Sequence, residues 1–289
     1  MLAFITTLRH PQNSVDYNRV EHLLRDTLRS VVQQTTDDYV VIVVGNQRPA
    51  FELPARTEFV QVDFSAPAPP TGAQTARAPF VWDKGTKLGI GLIAARRHEP
   101  THVMIFDADD FVHRGLASMV SAQPRHPGWV IRDGWMYSRA RNAFVPQADF
   151  NRTCGTSFVV PFEAYGVPDD LTVHASQREI ADGYDDRLSE IMGAHRNAET
   201  WYRDHGRVLE PLPYRGAVYH VDTGENHSGK SLTGIARPFG RTMERDFGIR
   251  GSRGRASTWW SAIGPVAASE EIVTFVRRVT RRLGRFIER

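Results

Sequence analysis

The sequence predicts an α/β fold with a mixed, mainly parallel sheet flanked by helices, followed by a C-terminal helical appendage. Three observations lead there. Short apolar runs at 2–8, 39–44 and 103–106 have the length and β-branched content of strands buried on both faces. Between the first two, Asn18 to Gln34 carries Val20, Leu23, Leu24, Leu28, Val31 and Val32 at helical spacing. The resulting β-α-β order, extended by a further run at 58–64, is that of a parallel sheet with crossover helices.

Composition sets the outer limits. With 289 residues, 41% hydrophobic and 24% charged, the chain suits one large domain or one domain with an appendage. Of its 36 basic residues only Lys84, Lys87 and Lys230 are lysines, and each falls in a segment able to bind phosphate. The pI near 9.2 comes largely from the last forty residues and so describes a tail. Cys154 is alone, which excludes a disulfide framework and is compatible with a reducing compartment. Residues 2–8 are too short for a signal peptide, and no apolar run approaches the length of a membrane span. A cytoplasmic protein with no nucleic-acid partner is the expectation.

Along the chain, the first strand ends at Arg9-His10-Pro11 and the second at Gly45-Asn46. Thr6, Arg9 and Asn46 stand at these strand ends, where a nucleoside can bind, although each is also a turn former. No Gly-x-Gly-x-x-Gly follows the first strand, which disfavours a dinucleotide cofactor. Residues 65–80, rich in Pro and Ala, read as a loop. A helix is expected from Asp83, with Lys84 and Lys87 in its first turn on one face. Lysines there oppose the helix dipole unless an anion such as a diphosphate offsets them.

The run His102 to Phe106 enters Asp107-Ala108-Asp109-Asp110. Asp107 and Asp109 can converge only if the strand breaks into a turn. They then form a hard-oxygen site suited to Mg²⁺ or Mn²⁺ with open positions for phosphate oxygens. A solvated acidic turn is the plainer alternative. Gly115 to Gln123 reads as a short helix, 129–131 and 135–137 as one bent strand or two, and 153–160 as small residues entering a strand. Gly155 within it can let a ligand approach the backbone. Asp185-Asp186 precede Leu188, Ile191, Met192 and His195 at helical spacing, as a cap or as catalytic groups.

Ala217 to Asp222 reads as a late strand, followed by residues 224–231, which match G-x-x-x-x-G-K-[ST] letter for letter. Too little chain follows for the rest of a P-loop domain, and Pro238 curtails a helix. The segment can still bind phosphate through bare backbone N–H groups and Lys230. His220 and His227 are candidates for a third, neutral ligand on a metal held by Asp107 and Asp109. Residues 234–257 read as a flexible Gly/Arg segment. From Ser269 onward Ile272, Val276, Val279, Leu283 and Phe286 face one way among many arginines. This basic amphipathic pattern suits an anionic membrane surface, with Trp259-Trp260 as interfacial anchors, or docking on the domain itself.

Taken together, Phe4-Ile5-Thr6-Thr7, Val44-Gly45-Asn46, Asp83-Lys84-Gly85-Thr86-Lys87 and above all Phe106-Asp107-Ala108-Asp109-Asp110 resemble glycosyltransferases of the GT-A fold, bacterial family-2-like. The similarity covers roughly residues 1–235 and leaves 236–289 as the appendage. It implies a Rossmann-like nucleotide-binding fold, a nucleotide-sugar donor, Mn²⁺ or Mg²⁺ on its diphosphate, and transfer of a hexose-like sugar to a hydroxyl. The acceptor would be a glycan, a lipid-linked sugar or a small molecule. The late His220/His227 region falls where such enzymes often carry a metal-ligating histidine. Two departures stand out. No clear Glu-Asp acceptor-base motif is present, Asp185-Asp186 being the nearest stand-in, and the Gln-x-x-Arg-Trp element of processive synthases is absent. Inversion or retention stays open. A P-loop NTPase or sulfotransferase, a haloacid-dehalogenase-type phosphatase and a non-catalytic membrane-associated scaffold are the competing expectations.

Overall fold

The structure, a computed structural model, describes residues 1–68, 78–225, 229–251, 254–265 and 267–270. Its strands are β1 (Leu2–Thr7), β2 (Tyr39–Gly45), β3 (Thr57–Gln61), β4 (His102–Ile105), β5 (Phe111–Val112), β6 (Trp129–Val130), β7 (Gly134–Ser138), β8 (Ala143–Gln147), β9 (Phe158–Pro161), β10 (Glu210–Pro211), β11 (Ala217–Val221) and β12 (Arg237–Pro238). Seven of them form a sheet in the order β10-β6-β9-β4-β1-β2-β3. β3, β2, β1 and β4 run parallel, with Phe4 level with Val41 and Met104, while β9 is antiparallel to both of its neighbours. The expected mixed, mainly parallel sheet is therefore present. A second sheet, β12-β8-β7-β11-β5, leaves the first at the acidic turn, because β5 begins directly after Asp110.

The continuous apolar runs are explained by burial on both faces. Leu2, Phe4, Val41, Val43 and Met104 pack with Leu24, Leu28 and Val31 of α1 (Tyr17–Val31). The alternate residues Ala3, Ile5, Ile42, Val44, Val103 and Ile105 pack with Leu88, Leu92 and Ala95 of α2 (Ala78–Arg96). From Leu88 to Ala95 α2 is apolar all round because it is covered on its far side too, by α5 (Gln177–Tyr184) and a π-helical turn at Leu188–Met192. Glycine permits that sandwich: a Cβ on Gly91 would lie 2.5 Å from Ile5 of β1, and one on Gly89 would lie 2.5 Å from Ile180 of α5.

Several expectations shift. Ala78–Phe80, read as loop, open α2, since proline is tolerated in a first helical turn, so Lys84 and Lys87 lie well inside the helix. α5 has a full capping box, Ser176 and Glu179 bonding each other's backbone, and Asp185 ends it. Shorter helices are α3 (Leu116–Ala122), α4 (Phe150–Thr153) and α6 (Ala198–Asp204). Residues 234–251 are not a loose segment: β12 pairs with β8, and α7 (Arg241–Phe247) seats Met243 and Phe247 against Phe111, Trp135 and Tyr137. α8 (Arg255–Ile263) follows, with Trp259 and Trp260 exposed. Of the expected helix from 269 to 289 only residues 269 and 270 are described, as helix, and of the expected loop at 65–80 residues 69–77 lie outside the described residues.

Candidate active site

The site lies where β1, β2 and β4 end together at their carboxyl edge, the place where open α/β sheets collect ligands. After Ile105 the chain turns, Asp110 N–H donating to the Asp107 carbonyl at 3.0 Å. This turn splits the three carboxylates among different surroundings. Asp107 is half-buried and meets Lys84 of α2 at 2.5 Å. Asp109 is half-buried beside Thr223, whose hydroxyl is 3.4 Å from Oδ2. Asp110 is fully buried and accepts from the Cys154 thiol at 2.9 Å, the Thr156 hydroxyl at 2.6 Å and the His220 backbone N–H at 3.0 Å.

Electrostatics follows from that partition. Burial, reinforced by the Asp107 charge, pushes Asp109 up to about 7, against the pull of Lys84 and Arg9. Burial and the charges of Asp109 and Asp107 push Asp110 well above the carboxylate range. Burial opposes charge on Lys84, but its pairing with Asp107 outweighs this and holds the ammonium above its ordinary value. The Asp107 charge, second to burial, opposes ionisation of Asp109, and a shared cation would relieve that opposition. Asp107, Asp110 and Cys154 also place ligand atoms within 4.8 Å of one another. In that trio, however, Asp110 already has its oxygens occupied. Burial and the Asp110 charge hold Cys154 as a thiol, so it reads as a hydrogen-bonded knot that fixes the turn.

The other expected site residues are distributed unevenly. Thr6 and Asn46 are at the strand ends, and each has an oxygen buried without a partner, Oγ1 of Thr6 and Oδ1 of Asn46. Arg9 lies close by and is held by Glu225, with which it pairs at 2.9 Å. Glu225, not singled out by sequence, also accepts from the N–H groups of Val15 and Asp16 at 3.1 and 3.0 Å, tying residues 222–225 to the start of α1. Lys87 is not at the surface: it is fully buried, bonded to Asp83 at 2.8 Å and to the Leu8 carbonyl at 3.1 Å. An internal ion pair, not an open phosphate site, occupies its ammonium.

His220 also differs from expectation. It is 2% exposed, its ring sits 5.3 Å from that of Phe111 and 5.5 Å from that of Tyr137, and Nδ1 faces the Asp109 carbonyl at 3.2 Å. Burial and Arg139 push it down to about 3, so it is a neutral core histidine buttressing the acidic turn. His227 lies outside the described residues. Asp185 and Asp186 are exposed at the junction of α5 and the π-helical turn, where Asp186 accepts from the Trp201 indole at 2.9 Å. Among the described contacts neither reaches Asp107 or Lys84.

The P-loop pattern lacks its structural context. β11 does lead into Gly224, but no helix begins at Lys230-Ser231, and the next one is α7. Residues 226–228 lie outside the described residues. Lys230 itself lies 5.7 Å from the Tyr219 ring and close enough to His195 to lower that histidine's pKa.

His195, set by the sequence at helical spacing after Met192, is a further residue at this place. A Cβ placed on Gly155 would lie 3.1 Å from Asp107 Oδ2, 3.4 Å from His195 Nδ1 and 3.4 Å from Lys84 Nζ. Asp107, His195 and Lys84 thus converge on Gly155 more closely than a side chain there would readily allow. A small pocket beside it is lined by Lys84, Gly155, His195, Met192, Tyr165 and Tyr202, among others.

No family model matches this chain, and no curated protein matches it. Among solved structures it is similar to TarS of S. aureus, at 12% identity over 76% of this chain and 36% of that one, with a TM-score of 0.41. The chain therefore spans about a third of that protein's length. It is similar to a putative nucleotide-diphospho-sugar transferase from Desulfovibrio desulfuricans G20, at 9% identity over 76% of this chain and 80% of that chain, with a TM-score of 0.31. A galactosyltransferase, LgtC, solved with donor and acceptor sugar analogs, matches at 12% identity over 76% of this chain and 87% of its own, with a TM-score of 0.33. At such overlap two proteins need share no activity, and the chemistry has to come from the residues of the site.

Proposed function

We propose that this chain is a metal-dependent glycosyltransferase that moves a sugar from a nucleoside diphosphate to a hydroxyl acceptor. The observation that carries the reading is the acidic turn after a central parallel strand, with Asp107 and Asp109 half-buried at the sheet's carboxyl edge and basic Lys84 and Arg9 facing them. Thr6 and Asn46, each with an unpartnered buried oxygen at neighbouring strand ends, suit the nucleoside.

Asp107 and Asp109 would hold Mn²⁺ or Mg²⁺, which when bound neutralises charge on the diphosphate. The chain's own residues do the rest. Lys84 faces the position where negative charge grows as the bond from sugar to phosphate breaks, and stabilises it there. Arg9, fixed by Glu225, adds a second positive group from the β1 side. The Asp110 knot with Cys154, Thr156 and the His220 backbone holds the turn rigid, so that Asp107 and Asp109 need no reorganisation during the step. No helix among the described residues is long and apolar enough to cross a membrane. Exposed Trp259, Trp260 and Ile263 beside an Arg-rich segment support docking on an anionic membrane surface, with a lipid-linked or cell-surface glycan as acceptor.

Incubation with UDP-glucose, UDP-galactose, UDP-N-acetylglucosamine and GDP-mannose in Mn²⁺ should release free nucleoside diphosphate from one of them. Release that is insensitive to both EDTA and Asp107→Ala would contradict the reading.

A further inference from the structure

His195 approaches the site from outside the acidic turn, on the chain that leaves the π-helical turn. Its Nδ1 and the Lys84 ammonium lie equally close, 3.4 Å, to the point a Gly155 side chain would fill, with Asp107 Oδ2 at 3.1 Å. One side of that point is ionic. The other is a pocket with room for about one water, lined by Ile191, Met192, Phe158, Tyr165 and Tyr202, which belong to the core beneath it.

The groups at this point do not share one capacity. Asp107 is engaged by Lys84 and by any bound cation, and Asp110 is saturated by three donors. Lys84 carries no lone pair while charged. The His195 ring makes no hydrogen bond among the described residues, which leaves a nitrogen lone pair available.

We propose that His195, rather than Asp185 or Asp186, is the general base that takes the proton from the acceptor hydroxyl bound beside Gly155. This rests on the transferase reading above. In the step, the acceptor oxygen forms its bond to the anomeric carbon as its O–H proton passes to a His195 ring nitrogen. The bond from the anomeric carbon to the diphosphate oxygen breaks, and its electron pair leaves with the nucleoside diphosphate. The imidazolium then returns its proton to solvent. A base on the acceptor side implies direct displacement and an inverted anomeric centre.

The test uses whichever of the four sugar nucleotides the wild-type chain hydrolyses, with water as acceptor, and measures nucleoside diphosphate binding by calorimetry alongside. His195→Gln is expected to lower hydrolysis by on the order of 10²–10⁴-fold while diphosphate affinity stays within about threefold. His195→Asn serves as the second variant should the first fail to fold. A wild-type rate in a folded His195 variant overturns the assignment, as does a product of retained configuration. A rate that collapses in Asp185→Asn/Asp186→Asn but not in His195→Gln returns the role to the acidic pair. If the wild type neither binds a diphosphate nor hydrolyses any donor, the transferase reading itself fails and the assignment falls with it.

Discussion

Arg9 and Glu225 meet at 2.9 Å across 216 residues of chain, and their pair joins the end of β1 to the loop after β11. Arg9 also donates to the Glu225 carbonyl, while the Glu225 carboxylate takes the N–H groups of Val15 and Asp16. One carboxylate therefore holds three parts of the site wall. Glu225 is 5% exposed, so removing it strands a charged guanidinium and two backbone donors.

Glu225→Ala is expected to destabilise the fold by about 3 kcal/mol in urea unfolding, the scale for breaking a buried pair from one side. A loss under about 0.5 kcal/mol, the range of ordinary surface substitutions, would mean that the pair is ornamental.

The two lysines of α2 should separate in opposite ways. Lys87→Met removes the buried partner of Asp83, and a loss of about 3 kcal/mol in stability is expected with little change in diphosphate affinity. Lys84→Met should be tolerated by the fold and weaken diphosphate binding by about tenfold, one charge-assisted contact. Calorimetric titration and urea unfolding of both variants check this. The reverse pattern would put Lys87 at the phosphate.

Gly155→Ala places a methyl 3.1 Å from Asp107 Oδ2, close enough that a neighbour must give way. The fold should survive, and donor turnover should drop by roughly 10²-fold, since small misplacements of reacting groups are costly. Steady-state turnover beside a melting curve distinguishes this from simple unfolding.

Acid should weaken the fold through its buried histidines. Burial pushes His102 below its ordinary 6.5, as it does His113, and His102 Nε2 bonds the His126 carbonyl at 2.9 Å. Its folded pKa lies below the unfolded one, so the unfolded chain takes up the extra proton. The stability it supports is complete above about pH 6.5 and is lost as pH falls through that value toward the folded pKa. The urea midpoint should fall from about pH 7 to about pH 5, and less steeply in His102→Gln. Equal slopes would exclude this histidine as a contributor.

The strands β1, β2 and β4 and the helix α1 were legible because continuous β-branched runs and a clean helical stripe leave little ambiguity. So was the acidic turn, where Ile105 gives way at once to carboxylates. Two-residue strands such as β5, β6, β10 and β12 carry no period, which hid the second sheet and the antiparallel place of β9. The start of α2 was obscured by Pro79, which looks like a breaker but is accepted in a first turn. Ser176 and Glu179 did offer a readable capping signature for α5. The burial of Lys87 and His220 depends on packing that spacing cannot reveal. His195 shows the same limit: only the folded chain brings it to Gly155, and a lone histidine has no motif to announce it.

The central claim is that Asp107 and Asp109 hold a divalent cation for a nucleoside diphosphate. The most direct measurement is thermal melting with UDP, GDP, ADP and CDP, each with and without Mn²⁺, on wild type and Asp109→Ala. Ligand that binds only the folded state raises the melting temperature by mass action. The account predicts a rise with one diphosphate that requires Mn²⁺ and disappears in Asp109→Ala. A rise that ignores both Mn²⁺ and Asp109, or no rise with any of the four, would contradict it.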